Sequence, residues 1–581
     1  MLPTLDPGNT RSAHLTTMSV IADGVELGAQ YRIVSIEISR EANRIPKASI
    51  VLLDGDPAAQ TFSTSEEDNL IPGVDVEIRG GYASEVSSLF NGIVTRHRIE
   101  VGDAGATRLV IELRDPVFRM TQARHSRNFS EVKSSDIMEQ LIAAYPNLTA
   151  EVSTTTFTHP QVVQQQISDW DFLVLQAEAN GYDVITIDGT VKIASPVTMG
   201  TAATTATFGQ NLLSADLELN AENQLASVET GAWDSANQEL TLSDTSDAAT
   251  AGPGNITGAS IAGDAKTQLR HHGKLDQSSL DQWAATEMGR DRRSAIRGRV
   301  KVQGTEALIP GVLIELGGLG SRFNGLGYVS GIRHRLGRGN WRSEAIIGSD
   351  PRAHGEKHLL NAGLAAGASS MVSGLQIGIV IALENDPQGE DRIQIKYTTI
   401  SETDGEVWAR QALLDAGDGR GTTFRPEIGD EVIVGLLNSD PNDPVILGAV
   451  HSSAKPTPIE GSNDNHEKAI VTRSGMRLHF DDDKIIATID TPSGNSIVLS
   501  EDESSIVIAD QNDNKLTLND SGIALESLKD ITVSSSGGDV KIEGINVEIS
   551  ASASVKMDGS GTAELTSSGS TTVKGSIVQI N

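Results

Sequence analysis

The chain has 581 residues and no cysteine, which leaves room for roughly three or four domains and excludes disulfide frameworks, cysteine-ligated zinc and thiol nucleophiles. Its 78 acidic and 46 basic side chains give a formal charge of −32, the wrong sign for general nucleic-acid binding. Met1 to Gly24 lacks a basic stretch followed by an apolar run, and the longest apolar run, near Gly374–Leu383, is far short of the roughly 20 residues of a membrane span, so the expectation is cytoplasmic synthesis without a signal peptide.

Ser19–Asp115 reads as strands. Tyr31–Ile38, Val74–Ile78 and Arg108–Leu113 alternate apolar and polar residues between Gly and Asn/Asp turns, which suggests a barrel or sandwich. The period then changes. Ser134-Ser135-Asp136 opens a helix over Ile137, Met138, Leu141 and Ile142, with Pro146 just past its end. A second helix is predicted over Ser168–Gly181, with Ser168 as N-cap and Asn180-Gly181 as stop. Tyr182–Ile187 and Thr190–Ile193 form a hairpin turning at Asp188-Gly189. Gly209–Leu242 returns to strands, Ser243–Ala265 reads as a loop, and a third helix is expected over Gln282–Ser294, ahead of strands at Ile296–Val302, Val312–Leu316 and Gly327–Arg335.

Asn361–Ser373, rich in Ala, Gly and Ser, reads as a linker. Leu375–His451 carries five short strands, at Gly378–Leu383, Asp391–Tyr397, Glu406–Gln411, Glu431–Leu437 and Val445–Val450, a number and size that fit an OB-type barrel. Pro426 and Gly429-Asp430 make a tight turn into the strand through Val432 and Val434, while Asp440-Pro441 and Asp443-Pro444 fix the next loop. Trp408 is expected as a core or inter-chain anchor. Ser452–Glu467 is a second linker, and Val471–Ile489 leads into the last stretch through Met476–Phe480.

From Ile497 onward, apolar residues come as i, i+2 pairs: Ile497/Leu499, Ile506/Ile508, Leu516/Leu518, Ile523/Leu525, Ile531/Val533 and so on to Val578/Ile580. The mean repeat is about eight residues, a short strand plus a turn, and each pair puts two side chains on one face. A ribbon with one apolar face needs something to lay it against. Eight residues are too few for one chain to circle an axis alone, since single-chain β-helices use about 20 per coil. Three chains winding together meet the geometry better, so this stretch predicts a trimeric, intertwined β-helix. Charge is uneven along the chain: Ser462–Asn581 has 19 acidic against 9 basic residues, whereas Asp281–Ala345 has 11 basic against 6 acidic. That basic segment makes Arg290, Arg292, Arg293, Arg297, Arg299, Arg333 and Arg335 candidates for docking an acidic partner.

Asn385-Asp386-Pro387, Asp391–Ile395, Trp408-Ala409-Arg410, Phe424–Val434 and Asp440–Gly448 together resemble the OB module of VgrG-type spikes, the hub–needle proteins of type VI secretion, phage tails and extracellular contractile injection particles. Trp408, Pro426, Gly429, Asp430, Asp440 and Pro441 mark that signature. The resemblance implies a mainly β chain: a hub of two barrel-like domains with helical insertions over 1–360, a linker over 361–373, an OB-fold over 374–452, a linker over 453–468 and a triple-stranded β-helix spike over 469–581. It also implies a homotrimer, a hexameric Hcp-like tube docked on the hub, baseplate partners, effector cargo and a PAAR-like tip protein. The tip protein would pair with Gly575, Ser576, Ile577, Val578, Gln579, Ile580 and Asn581, because an exposed terminal strand edge invites a cap. By the same resemblance the chain belongs in an assembled particle, delivered outside or into a target cell, whose membrane it meets only mechanically.

No HExxH, phosphate loop or GxSxG elbow occurs, so no catalytic residue, cofactor or metal is expected. Asp481-Asp482-Asp483 lacks the alternating ligand spacing of a calcium loop and reads as a hairpin turn; Gly417–Gly421 reads as loop, and His271-His272 has no evident third ligand. Enzymatic members of the family carry an added effector domain, for which the short linkers leave no space. The competing reading is a tailspike enzyme that degrades surface polysaccharide. It needs an aromatic-lined groove with two carboxylates, yet aromatics are 4% of the chain and none follows Phe480.

Overall fold

The computed structural model describes residues 16–83, 85–103, 106–245, 252–360, 363–367, 371–399 and 405–580. It divides into two compact units: Met1–Leu375 with Gly435–Val445, and Gln376–Val434 with Ile446–Asn581. Both are dominated by antiparallel strands. Among the described residues no helix is long and apolar enough to cross a membrane.

The first unit is built on a 13-stranded sheet. Its central order is Leu212–Leu219, Ile296–Gln303, Asn340–Ile347, Gly325–Gly337, Ile33–Glu41, Lys47–Leu53, Thr107–Arg114 and Glu85–Val101, with Asp75–Tyr82 and Thr16–Ala22 beyond. Two cores sit on it. One gathers Ile36, Ile38, Ile50, Leu52, Ile78, Phe90, Ile111 and Leu113; the other gathers Val300, Val302, Ile314, Leu316, Val329, Ile332 and Ile347. One ladder joins the two cores. Gly325–Gly337 is the joint: Arg333 stands opposite Glu344 on one side and opposite Ser39 on the other.

Helices Ser134–Ala143 and Asp169–Ala179 pack a third core with the hairpin Asp183–Ile187/Thr190–Ala194, burying Ile137, Leu141, Trp170, Leu173, Val184 and Ile193. Local chemistry sets their ends as the sequence predicts. Ser168 Oγ accepts the Asp171 amide at 3.1 Å, and Gly181 takes φ +70° beyond the helix end. Asp188 (φ +52°) and Gly189 (φ +85°) form the primed turn that a two-residue hairpin requires. The third helix starts five residues before the expected Gln282, running Gln277–Arg293, because the Asp276 carboxylate caps it by accepting the Ser279 amide at 2.7 Å. Within the predicted loop Ser243–Ala265, the structure forms the end of strand Glu239–Thr245 and one helical turn, Gly258–Ile261; residues 246–251 lie outside the described set. The linker expected at 361–373 also falls partly outside it.

In the second unit, Gln376–Ala382, Ile393–Tyr397, Glu406–Gln411, Pro444–Ala449 and Glu431–Leu436 close a five-stranded barrel, each within two residues of its predicted strand. Val380, Ile393, Ile395, Ala409, Val432, Val434 and Ile446 fill it. Gly417–Gly421, expected as loop, contains a minute hairpin of Ala416–Gly417 with Arg420–Gly421.

Seven strands from Glu467–Val471 to Gly522–Glu526 form one antiparallel meander, each joined to the next by a short turn. Polar side chains close those turns: Asp481 Oδ1 accepts the amides of Asp483 and Lys484, and Asp510 Oδ1 those of Asn512 and Asn514. Asp481-Asp482-Asp483 is therefore a hairpin turn. From 527 to 580 no strand forms among the described residues, although the i, i+2 pairs continue.

Candidate functional site

Two surfaces carry the interactions that the sequence suggests. The first is one face of the meander. Across its ladders Ile470 stands opposite Leu478, Leu478 opposite Ile489, Ile489 opposite Ile497, Ile497 opposite Ile508, Ile508 opposite Leu516, and Leu516 opposite Leu525. A second row, two residues along each strand, runs Phe480, Ala487, Leu499, Ile506, Leu518, Ile523. Side chains two apart share a face, so both rows lie on the same side; the opposite side carries His479, Thr488, Val498, Val507, Thr517 and Ala524 in register. Most of the apolar rows face solvent in the single chain: Ile489 is 53% exposed, Leu499 47%, Ile508 43% and Ile523 75%. Such a contiguous apolar face marks an interaction surface. The structure carries it back to Ile470, ahead of the pairs counted from Ile497 and inside the spike segment expected from residue 469. The signal was present, since Leu478/Phe480 is itself an i, i+2 pair.

The second surface lies on the first unit, and the predicted arginines are sorted there by strand alternation. Arg297, Arg299, Arg333 and Arg335 project from the same side of the large sheet, on the two strands that flank Asn340–Ile347. Arg290 and Arg293, from the last turn of helix Gln277–Arg293, border the same cleft as Arg297, Arg299 and Arg333. Several charges are already committed: Arg290 to Glu287 at 2.9 Å, Arg297 to Glu218 at 2.9 Å, Arg333 to Glu37 at 3.3 Å and Arg335 to Glu37 at 3.2 Å. Arg292 does not belong to the surface. Its side chain is 3% exposed and binds the Asp291 carboxylate and the Leu225 carbonyl, each at 2.8 Å, so it is an internal strut.

In the barrel, the turn at Gly429-Asp430 is pinned from several sides. The Gly429 amide donates to Val380 O at 2.8 Å, Asp430 Oδ2 accepts the Glu427 amide at 2.8 Å, and Lys455 Nζ donates to Gly429 O at 2.6 Å and to Asp430 Oδ1 at 2.7 Å. Partial burial pushes the Asp430 carboxyl up, but Lys455 and the Glu427 amide outweigh it and hold it below the ordinary range. Asp440 Oδ1 accepts from the Asn442 amide and side chain, closing the loop that holds Pro441. Trp408 is half-buried and opposite Gln394, on the outer side of a strand whose inner side carries Ala409; it is not a core residue. Asp386 organises its loop, accepting the amides of Gln388, Glu390 and Arg392 and the Arg392 guanidinium, an arrangement that holds its carboxyl far below the usual range.

Gly429 has φ +88°, and only Lys455 Nζ, at 3.8 Å, would meet a Cβ there. Gly429→Ala is therefore expected to cost roughly 1–2 kcal/mol through backbone strain alone. Gly448→Ala, with ordinary angles and open space around it, is expected to be neutral. Comparing urea midpoints of the two variants checks this; equal midpoints would reject it.

Gly575, Ser576, Ile577, Val578, Gln579 and Ile580 are exposed and outside any strand, and Asn581 lies outside the described residues. Among the described residues, no group of three or more His, Asp or Glu side chains is placed to hold a metal.

A family model described as the Alg8 N-terminal domain matches residues 12–338, and one described as the type VI secretion system/phage-baseplate injector OB domain matches residues 376–451. The type VI secretion system spike protein VgrG4b of Pseudomonas aeruginosa is 32% identical over 95 residues, covering 14% of this chain and 12% of its own. VgrG1a of the same organism is 26% identical over 170 residues, 27% of this chain and 24% of its own. The chain thus aligns with a quarter or less of these curated relatives. Among solved structures, a tail protein from Neisseria meningitidis MC58 is 14% identical, covers 58% of this chain and 97% of its own, and has a TM-score of 0.44.

Proposed function

The chain belongs to the Alg8 N-terminal domain family, and from its injector-type OB barrel and the apolar face that follows it we propose that it is a non-enzymatic spike of a contractile injection machine. Three copies associate through their meanders, and the residues beyond Glu526 wind into a needle. The observation that carries this reading is the pair of apolar rows in register, one across seven strands and one across six, largely exposed in the single chain. A face of this kind is removed from water when copies lay their rows against one another, and the pairs from Ile531/Val533 to Val578/Ile580 continue the same pattern where, among the described residues, no strand forms within one chain. Continuous ladders around a dry interior leave no soft hinge, which suits a part that transmits thrust.

Within this reading the first unit is the hub, docking a hexameric tube through its arginine face. Gly575–Asn581 offers backbone donors and acceptors to a tip protein, effector cargo travels with the tip, and baseplate proteins surround the hub. The polysaccharide-cleaving alternative lacks support: the meander's apolar face has Phe480 as its only aromatic side chain among the described residues.

The test is solution mass by light scattering, for the full chain and for a chain ending before Glu467. The expected outcome is three times 61.4 kDa for the full chain, falling to single copies in the truncation. A full-length monomer at micromolar concentration would overturn the proposal.

A further inference from the structure

A cleft of about 640 Å³ opens on the arginine side of the first unit, between the last turn of helix Gln277–Arg293, the outward side of strand Ile296–Gln303 and the segment Gly348–His358. Its lining carries more cations than carboxylates, in a chain whose overall charge is −32. Two of these cations are uncommitted: among the described residues, the guanidinium groups of Arg293 and Arg299 have no hydrogen-bond or ion-pair partner. The Nε atoms of Arg293 and Arg297 are moreover shielded from solvent without a hydrogen-bond acceptor. Sheltered guanidinium donors left unpaired are costly, and five N–H groups in a planar fork match the oxygens of a carboxylate.

We propose that this cleft receives a short acidic segment of a partner protein, with Arg293 and Arg299 as the carboxylate anchors. The volume falls in the range of sites that hold a small ligand or a few side chains and is far too small for a folded domain. Glu41, Glu178, Asp183, Glu218 and Asp350 are interspersed along the same walls, so the cleft is not a continuous positive track of the kind a polyphosphate backbone needs. That arrangement favours discrete carboxylates over nucleic acid. The proposal deepens the docking role given to this face above and depends on that role only for the identity of the partner. The peptide assay below reads the cleft, whereas the assembly reading stands or falls with the mass of the full chain.

The experiment is fluorescence anisotropy of a labelled hexaglutamate peptide titrated with the full chain at low salt. Two variants accompany the native chain: R293A/R299A, and R342A as a control, since Arg342 is exposed on the same sheet but does not line the cleft. Loss of two charge-assisted anchors is expected to weaken peptide binding at least about tenfold, while R342A stays within about twofold of the native chain. Equal binding by R293A/R299A and the native chain would overturn the proposal. So would tighter binding of a single-stranded oligonucleotide of equal charge, which would reassign the cleft to nucleic acid. A lower solution mass for R293A/R299A would also overturn it, reassigning the cleft to a contact between copies.

Discussion

Replacing Leu499 and Ile508 together by aspartate is expected to convert the proposed trimer into single chains at micromolar concentration, whereas Thr488→Asp with Thr517→Asp leaves the mass unchanged. All four positions sit mid-strand in the same meander, so hairpin propensity is not what separates them. The face is. Leu499 and Ile508 belong to the two apolar rows, whereas Thr488 and Thr517 lie on the other side of the same ladders. Covering one half-exposed aliphatic side chain is worth roughly 1 kcal/mol, and each chain contributes about a dozen to the rows. An aspartate there forfeits that gain and must also lose its water, at several kcal/mol per charge. Around a threefold axis the substitution brings three like charges together, and six in the double variant. Light scattering distinguishes the outcomes. A trimer surviving in the Leu499/Ile508 variant would show that the rows do not form the interface, and dissociation of the threonine variant would place it on the opposite face.

The same rows show what was readable before the fold was known. Periodicity of two assigns side chains to a face, and that assignment held from Ile497 to Leu525 because one face of a strand is a local property. It does not assign the strand's neighbours. Antiparallel hairpins within one chain and ladders between chains both satisfy an i, i+2 pattern, so the meander up to Glu526 could not be told from a β-helix by spacing. The barrel was legible for a different reason: its turns are made by residues with restricted backbones, Pro426, Gly429, Pro441 and Pro444, which punctuate the strands at nearly their observed limits. The arginine surface was legible as a composition and not as a geometry. Arg292 could have been set aside, because Leu280, Ala284, Met288 and Arg292 follow one another at four-residue intervals and so share the buried side of their helix. Trp408 likewise alternates with Ala409, which fills the barrel. The pairing of Arg333 with Glu37, by contrast, joins residues almost three hundred positions apart, and nothing local announces it.

Acid titration is expected to separate two buried groups of the first unit whose effects oppose each other in the native chain. His334 is 2% exposed, donates or accepts one bond with Ser343 Oγ at 2.9 Å, and lies beside Trp341. Burial, with help from the Arg40 guanidinium and against the weaker pull of Glu306, drops its pKa to about 3. A histidine kept neutral in the fold contributes stability that is present above the unfolded value of about 6.5 and is lost as pH falls through about 3. Asp115 does the reverse. Its carboxylate accepts the amides of Val117 and Gly189, but burial dominates and raises its pKa to about 6. Its contribution is fully present below about 3.8 and is lost as pH rises through about 6. Between pH 6 and 4 the two nearly cancel, each changing stability by roughly 2 kcal/mol in opposite directions. His334→Asn is therefore expected to gain stability relative to the native chain as pH falls from 7 to 4, and Asp115→Asn to lose it, whatever constant penalty each substitution carries. The measurement is the urea midpoint of the first unit at pH 7, 5.5 and 4. Curves parallel to the native one for both variants would mean that neither group titrates between these limits, and curves displaced in the same direction would contradict the opposed signs on which the prediction rests.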